Sequence, residues 1–284
     1  IGALSGLFIA QTFILGSLQS DDLDAQGNAV YDTLSETAKA SVRTADLAVI
    51  RDPYVMLGLF ILFMIVLIAI VKMPEKHDQN TGSVGESLRR LFRNKRFVEG
   101  VWAQMFYVGA QIMCWTYIYQ YAETLGITNQ NAVSYAYLAL GLFLVGRCLV
   151  TYMLKFYHSG ELLMYFAFGA IFFTVGAIFI EGMIGLYSLV GISLCMSVMF
   201  PTIYGIALTG VGEDAKYGAA LLVMAIVGGA IMPVMQGAML DIGGTGYADV
   251  RILGVPEVNI SFVLPLICFA IVAIYGRRAY RTYP

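Results

Sequence analysis

The residues able to do chemistry in this sequence stand inside apolar runs. The densest set is Gln104, Tyr107, Gln111 and Trp115, spaced i, i+3, i+7 and i+11. On an α-helix that spacing forms one stripe. Amides hydrogen-bond hydroxyls, and an indole face stacks on the C–H side of a pyranose, so the stripe suits a sugar. The competing use is hydrogen bonding between helices, which is common for Gln at membrane depth. Trp115 and Tyr119 also fit an aromatic belt at a bilayer surface. A second set lies in Ser193-Leu-Cys-Met-Ser197-Val-Met-Phe200-Pro201-Thr-Ile-Tyr204. Pro201 removes an amide donor and bends a helix, and interrupted helices in transporters lie beside the substrate. Ser197, Phe200 and Tyr204 are the candidate lining there; a kink that only shapes packing is the plainer reading.

Further candidates concern movement. Arg147 is the one basic residue well inside an apolar run and is expected to snorkel or to join an inner gate. Gly228, Gly229 and Pro233 read first as residues of close packing and bending. Gln236 stays ambiguous. The turn Gly212-Glu-Asp214-Ala-Lys216-Tyr-Gly218 pairs charges that fit a reversible latch or an ordinary solvated turn.

Other chemistry is missing. His77 and His158 lack metal-ligand spacing, and no GxxxxGK[ST], GxSxG or HExxH occurs. Cys114, Cys148, Cys195 and Cys268 lie in apolar runs without CxxC spacing and read as small core residues. Asn259-Ile-Ser261 is a sequon by pattern only. Glu99, Glu161, Glu181 and Asp241 all sit at the ends of apolar runs, so no acid stands at mid-membrane. No cofactor, metal or enzymatic reaction is expected.

These residues need elements to position them, and composition says which. The chain has 284 residues, 59% apolar and 13% charged, with a mean hydropathy of +0.75. Soluble domains run near 45–50% apolar and ~25% charged. A net charge of -2 gives no basic field for nucleic acid. Apolar runs suited to crossing a bilayer fall at about 1–18, 54–71, 100–121, 132–154, 162–180, 184–208, 218–240 and 260–276. They are too long for barrel strands, so the expected class is an all-α polytopic membrane protein. The first run starts at Ile1 with no polar flank, which reads as a helix whose upstream neighbours are missing. Of the 17 basic residues, 13 fall on one face, in 72–98, the tail and at Arg147, Lys155 and Lys216. The positive-inside rule then makes 72–98 and the C-terminus cytoplasmic. The acidic 19–52 loop is external, with room for a short surface helix over 32–47. In 83–93, Val84, Leu88, Leu91 and Phe92 share a face, an amphipathic helix for the inner leaflet. The domains expected are 1–72 (two helices of a truncated bundle), 73–98 (a basic linker) and 99–284 (a six-helix bundle).

Four stretches in order then resemble a known family. They are Ala103 to Trp115, Phe200-Pro-Thr-Ile, Gly212 to Gly218, and Val223 to Pro233. Together they look like the L-fucose:proton symporter family (fucose, galactose and glucose carriers) of the major facilitator superfamily. The resemblance implies a partial twelve-helix fold, about eight of the twelve, covering helices 5 to 12. It implies a monosaccharide bound between two bundles, a coupled proton, alternating access, and a monomer in the bilayer of a bacterial inner membrane. By the match, Gln111 and Trp115 face the sugar, and the family's membrane acids on helices 1 and 4 have no counterpart here. One departure matters: the fucose carriers have a tyrosine where this chain has Phe200, and Tyr204, one turn along, is the candidate replacement. Lys216-Tyr217-Gly218 favours fucose over glucose or galactose. The alternatives are another hexose permease of the family, a non-transporting sugar sensor or scaffold, and, least supported, an intramembrane enzyme.

Overall fold

Caps and breakers in the sequence set where each helix begins and ends. The computed structural model describes residues 34–71, 84–241, 251–252 and 254–282, with positions 6 and 31. It divides into two compact units, residues 1–81 and 82–284.

In the first unit, helix α1 runs from Glu36 to Ile70. Ser35 caps it, accepting from the Ala38 amide at 3.4 Å. The sequence separates a surface helix from a span near 54, but the structure joins them through Pro53. A proline removes one donor, and helix formers flank this one on both sides. Asp52-Pro53 is a turn-favouring pair, yet the helix runs through it, with the Arg51 guanidinium bonded to the adjacent Asp52 at 2.7 Å. Residues 19–30 and 32–33 of the acidic 19–52 loop, and the expected span at 1–18 apart from position 6, lie outside the described residues.

The second unit is a helical bundle. Amphipathic α2 (Val84–Arg93) precedes α3 (Lys95–Thr116). Leu91 of α2 is buried, while Val84 and Phe92 stay exposed. The apolar face thus partly docks onto the bundle through Leu91, Phe97, Ala207 and Leu222. Asn94 separates the two helices and accepts from the Phe97 amide. α3 pauses at Tyr117 and resumes as α4 (Ile118–Glu123). Then come α5 (Asn129–Met153), α6 (Ser159–Phe179), α7 (Met183–Met196) and α8 (Met199–Leu208). His158 caps α6, its Nδ1 accepting from the Gly160 amide at 3.3 Å. After a single 3-10 turn, α9 (Ala215–Met224) passes through Ala225–Val227 into α10 (Gly228–Leu240). A two-residue hairpin, β1 (Arg251–Ile252) and β2 (Val255–Pro256), leads to α11 (Glu257–Ser261) and α12 (Val263–Thr282).

Among the described residues, six helices are long and apolar enough to cross a membrane: Glu36–Ile70, Asn131–Met153, Ser159–Phe179, Met183–Leu208, Gly212–Leu240 and Glu257–Thr282. The run expected at 100–121 is the broken pair α3–α4. It falls short in hydropathy because Glu99, Gln104 and Gln111 stand in α3. The run that falls short is the one carrying the candidate stripe.

Candidate functional site

Glycines bring two neighbours hard against α3. A Cβ on Gly228 of α10 would stand 2.1 Å from the Met105 carbonyl oxygen, and one on Gly109 of α3 2.5 Å from Met232 Cγ. Gly229 is less tight, meeting Ile112 and Val108 side chains at 3.0 and 3.1 Å. On another side, a Cβ on Gly100 would lie 2.5 Å from Ala207 of α8. Gly228 and Gly229 therefore act as packing residues. Pro233, inside α10, has its carbonyl bonded by the Tyr117 hydroxyl at 2.7 Å, which fastens the α3–α4 joint to that helix.

This clasp divides the stripe. Gln104 and Tyr107 are completely enclosed, at 0% exposure. The Tyr107 hydroxyl donates to the Met196 carbonyl at 2.9 Å, and its ring packs edge-on to Phe200. The Gln104 amide is buried with both its atoms unpartnered, a costly state for a polar group. As they stand, neither residue presents a surface to a ligand. Gln111 and Trp115 are only half-buried. The Gln111 side chain makes no hydrogen bond among the described residues. The Trp115 indole N–H donates to Ser193 at 3.2 Å, and its ring meets Phe143 edge-on at 5.3 Å. Ser193 and Phe143 fix the indole, yet no pattern in the sequence separates them from ordinary packing residues.

The helix pair α7–α8 breaks at Ser197 and Val198. Ser197 is enclosed, its hydroxyl donating to the Leu194 carbonyl at 2.7 Å. Phe200 is half-buried and stacked on Tyr204 at 6.4 Å, while Pro201 is exposed. Arg147 turns its guanidinium toward the α7–α8 break. Its Nη1 donates to the Ser197 carbonyl at 2.9 Å, and its guanidinium lies 5.9 Å from the Phe143 ring centre.

At the turn before α9, the partner of Asp214 stands on α2. Arg90 gives Asp214 two parallel bonds, Nε to Oδ2 at 2.8 Å and Nη2 to Oδ1 at 2.7 Å, and also donates to Ser87. The bond to Asp214 raises the Arg90 guanidinium above its ordinary pKa. Asp214 is buried, and Lys216 stands in the first turn of α9. This ion pair joins the turn to the amphipathic helix.

Asn259 is no sequon site here: it is 2% exposed, and its amide donates to Tyr121, Ala177 and Ile178. Gln236 donates to Ser261 at 2.8 Å inside the bundle. Glu257, at 1% exposure, is a buried acid that the sequence reading passes over. Among the described residues no cluster suited to a metal ion occurs.

No family model matches the chain. It is 46% identical to the L-fucose-proton symporter of Haemophilus influenzae over 283 residues, 99% of this chain and 64% of that protein. It is 29% identical to the L-fucose-proton symporter of Escherichia coli, over 97% of this chain and 61% of that protein. A glucose/galactose transporter of Brucella abortus is 28% identical over 86% of the chain. The chain thus spans less than two thirds of the length of the curated relatives it matches. The crystal structure of the E. coli fucose:proton symporter superposes with a TM-score of 0.69 at 28% identity, covering all of this chain and 66% of that one. A second structure of a major facilitator superfamily transporter, in the outward conformation, gives 0.68.

Proposed function

Because this chain belongs to the L-fucose:proton symporter family of the major facilitator superfamily, over the part of that fold it spans, we propose that it serves sugar:proton symport with L-fucose as the sugar. The observation that carries the reading is the Gln111–Trp115 facet. It pairs a side-chain amide that has no hydrogen-bond partner among the described residues with an aromatic ring held in place by Ser193 and Phe143. Gln111 binds sugar hydroxyls and Trp115 stacks on the ring. Phe200 and Tyr204 extend the facet along α8, and Gln104, Tyr107 and Ser197 support it from within the bundle. L-fucose is chosen because two relatives carry that name and the nearer of these two is 46% identical. Other hexoses are the competing substrates, as a glucose/galactose transporter is also similar.

The proton partner is proposed from the family. Glu99, Glu161, Glu181 and Asp241 stand at helix ends or just beyond them, so none is assigned to it. The protein crosses a bacterial inner membrane several times, with the C-terminus on the cytoplasmic side from its basic residues, and acts as a monomer. The Arg90–Asp214 pair holds α2 against the turn before α9 as an inner latch.

Counterflow in proteoliposomes tests this reading with the natural-length protein. Labelled L-fucose should exchange against unlabelled L-fucose, more slowly against D-galactose and D-glucose, and its uptake should alkalinise a weakly buffered exterior. Sugar binding without exchange would make the protein a sensor and overturn the transport reading. Faster exchange of glucose or galactose would overturn the choice of sugar.

A further inference from the structure

The break between α7 and α8 has a donor missing and a donor supplied. In an unbroken helix the Ser197 carbonyl accepts from the amide of residue 201. Residue 201 is proline and has no amide hydrogen. An unmet carbonyl inside a membrane protein costs several kcal/mol. Arg147, from α5, places Nη1 2.9 Å from that oxygen. The approach is built on both sides. A Cβ on the preceding residue, Gly146, would stand 2.6 Å from Ser197 Oγ and 2.9 Å from the Leu194 carbonyl, so only glycine lets α5 come this close. The Phe143 ring, one turn earlier on α5, lies 5.9 Å from the guanidinium and meets its charge with a π face. No carboxylate is seen to pair with Arg147 among the described residues. A second side chain acts one residue away, where the Tyr107 hydroxyl donates to the Met196 carbonyl.

We infer that Arg147 is a positioning residue: its guanidinium replaces the backbone amide lost at Pro201 and fixes how α8 continues from α7. The bond is side chain to backbone, so it can part and re-form without unwinding either helix. The joint is therefore a hinge with one removable pin. Its consequence for transport rests on the reading above, because α8 carries Phe200 and Tyr204 to the facet.

The test restores the lost amide. In the natural-length protein, Arg147→Met should lower the melting temperature by about 4 °C, the scale of a charge-assisted hydrogen bond in a chain of this size. In a Pro201→Ala background, where residue 201 again has an N–H, the same substitution should cost at most a quarter of that. An equal fall in both backgrounds, or no fall in either, would overturn the inference. Should Pro201→Ala fail to fold, hydrogen exchange of Arg147→Lys serves instead. Amides of 199–205 should exchange faster while those of 186–193 keep their rates, and uniform change would overturn the inference. Neither measurement needs sugar, so failure here is separable from failure of counterflow in the unaltered protein.

Discussion

Three amides of the bundle have different fates, and each makes its own prediction. Asn259 is fully used, joining α11 to Tyr121 and to the carbonyls that end α6. Asn259→Ala should destabilise the protein by about 2–4 kcal/mol, because it strands several buried partners; chemical denaturation of the detergent-solubilised protein would measure this. Gln104 is buried with nothing to bond, so Gln104→Met, of similar volume, should leave the melting temperature unchanged or raise it. A fall of several degrees would reveal a partner. Gln111 is half-exposed, its side chain unbonded among the described residues, so Gln111→Ala should leave stability alone and weaken sugar affinity by roughly tenfold, the worth of one good hydrogen bond. The stripe at i, i+3, i+7 and i+11 was legible as one helical face. Its division was not, since which half is covered depends on α8 crossing at Gly100 and on Tyr107 reaching Met196. These are contacts between residues some ninety to a hundred positions apart, and local spacing holds no trace of them.

At the scale of elements, glycine patterns in the sequence point to close packing, but they do not rank themselves. A Cβ on Gly228 meets backbone at 2.1 Å, and backbone cannot swing aside. Gly229 meets only side-chain carbons at 3.0 and 3.1 Å. Gly228→Ala should therefore cost more than about 2 kcal/mol and Gly229→Ala under about 1 kcal/mol; comparing their melting temperatures checks the order. Proline likewise announces a helix disturbance without saying how it resolves. Pro53 runs inside a continuous 35-residue helix, while Pro201 follows a true break at Ser197. The difference lies in what can answer the missing amide. At Ser197 a guanidinium arrives from α5, and no short-range pattern announces a donor fifty residues away. The amphipathic face of α2 was legible too. That Leu91 turns into the bundle, with Arg90 reaching Asp214, follows only once α8 and α9 are in place.

For the molecule as a whole, the membrane class and the helical architecture followed from length and hydropathy of the runs, with α3 the exception because its own polar residues lower its mean hydropathy. The central claim is that the Gln111–Trp115 facet faces a watery sugar path and not acyl chains. Cysteine accessibility tests it directly. Cys114, Cys195 and Cys268 are buried and only Cys148 is exposed, so Cys148→Ser clears the background within this chain. Gln111→Cys is then introduced in the natural-length protein, reconstituted in proteoliposomes, and treated with a membrane-impermeant thiol reagent. The account predicts labelling at position 111 that saturating L-fucose suppresses at least fivefold. No labelling from either side of the membrane, or labelling that the sugar leaves unchanged, would contradict it.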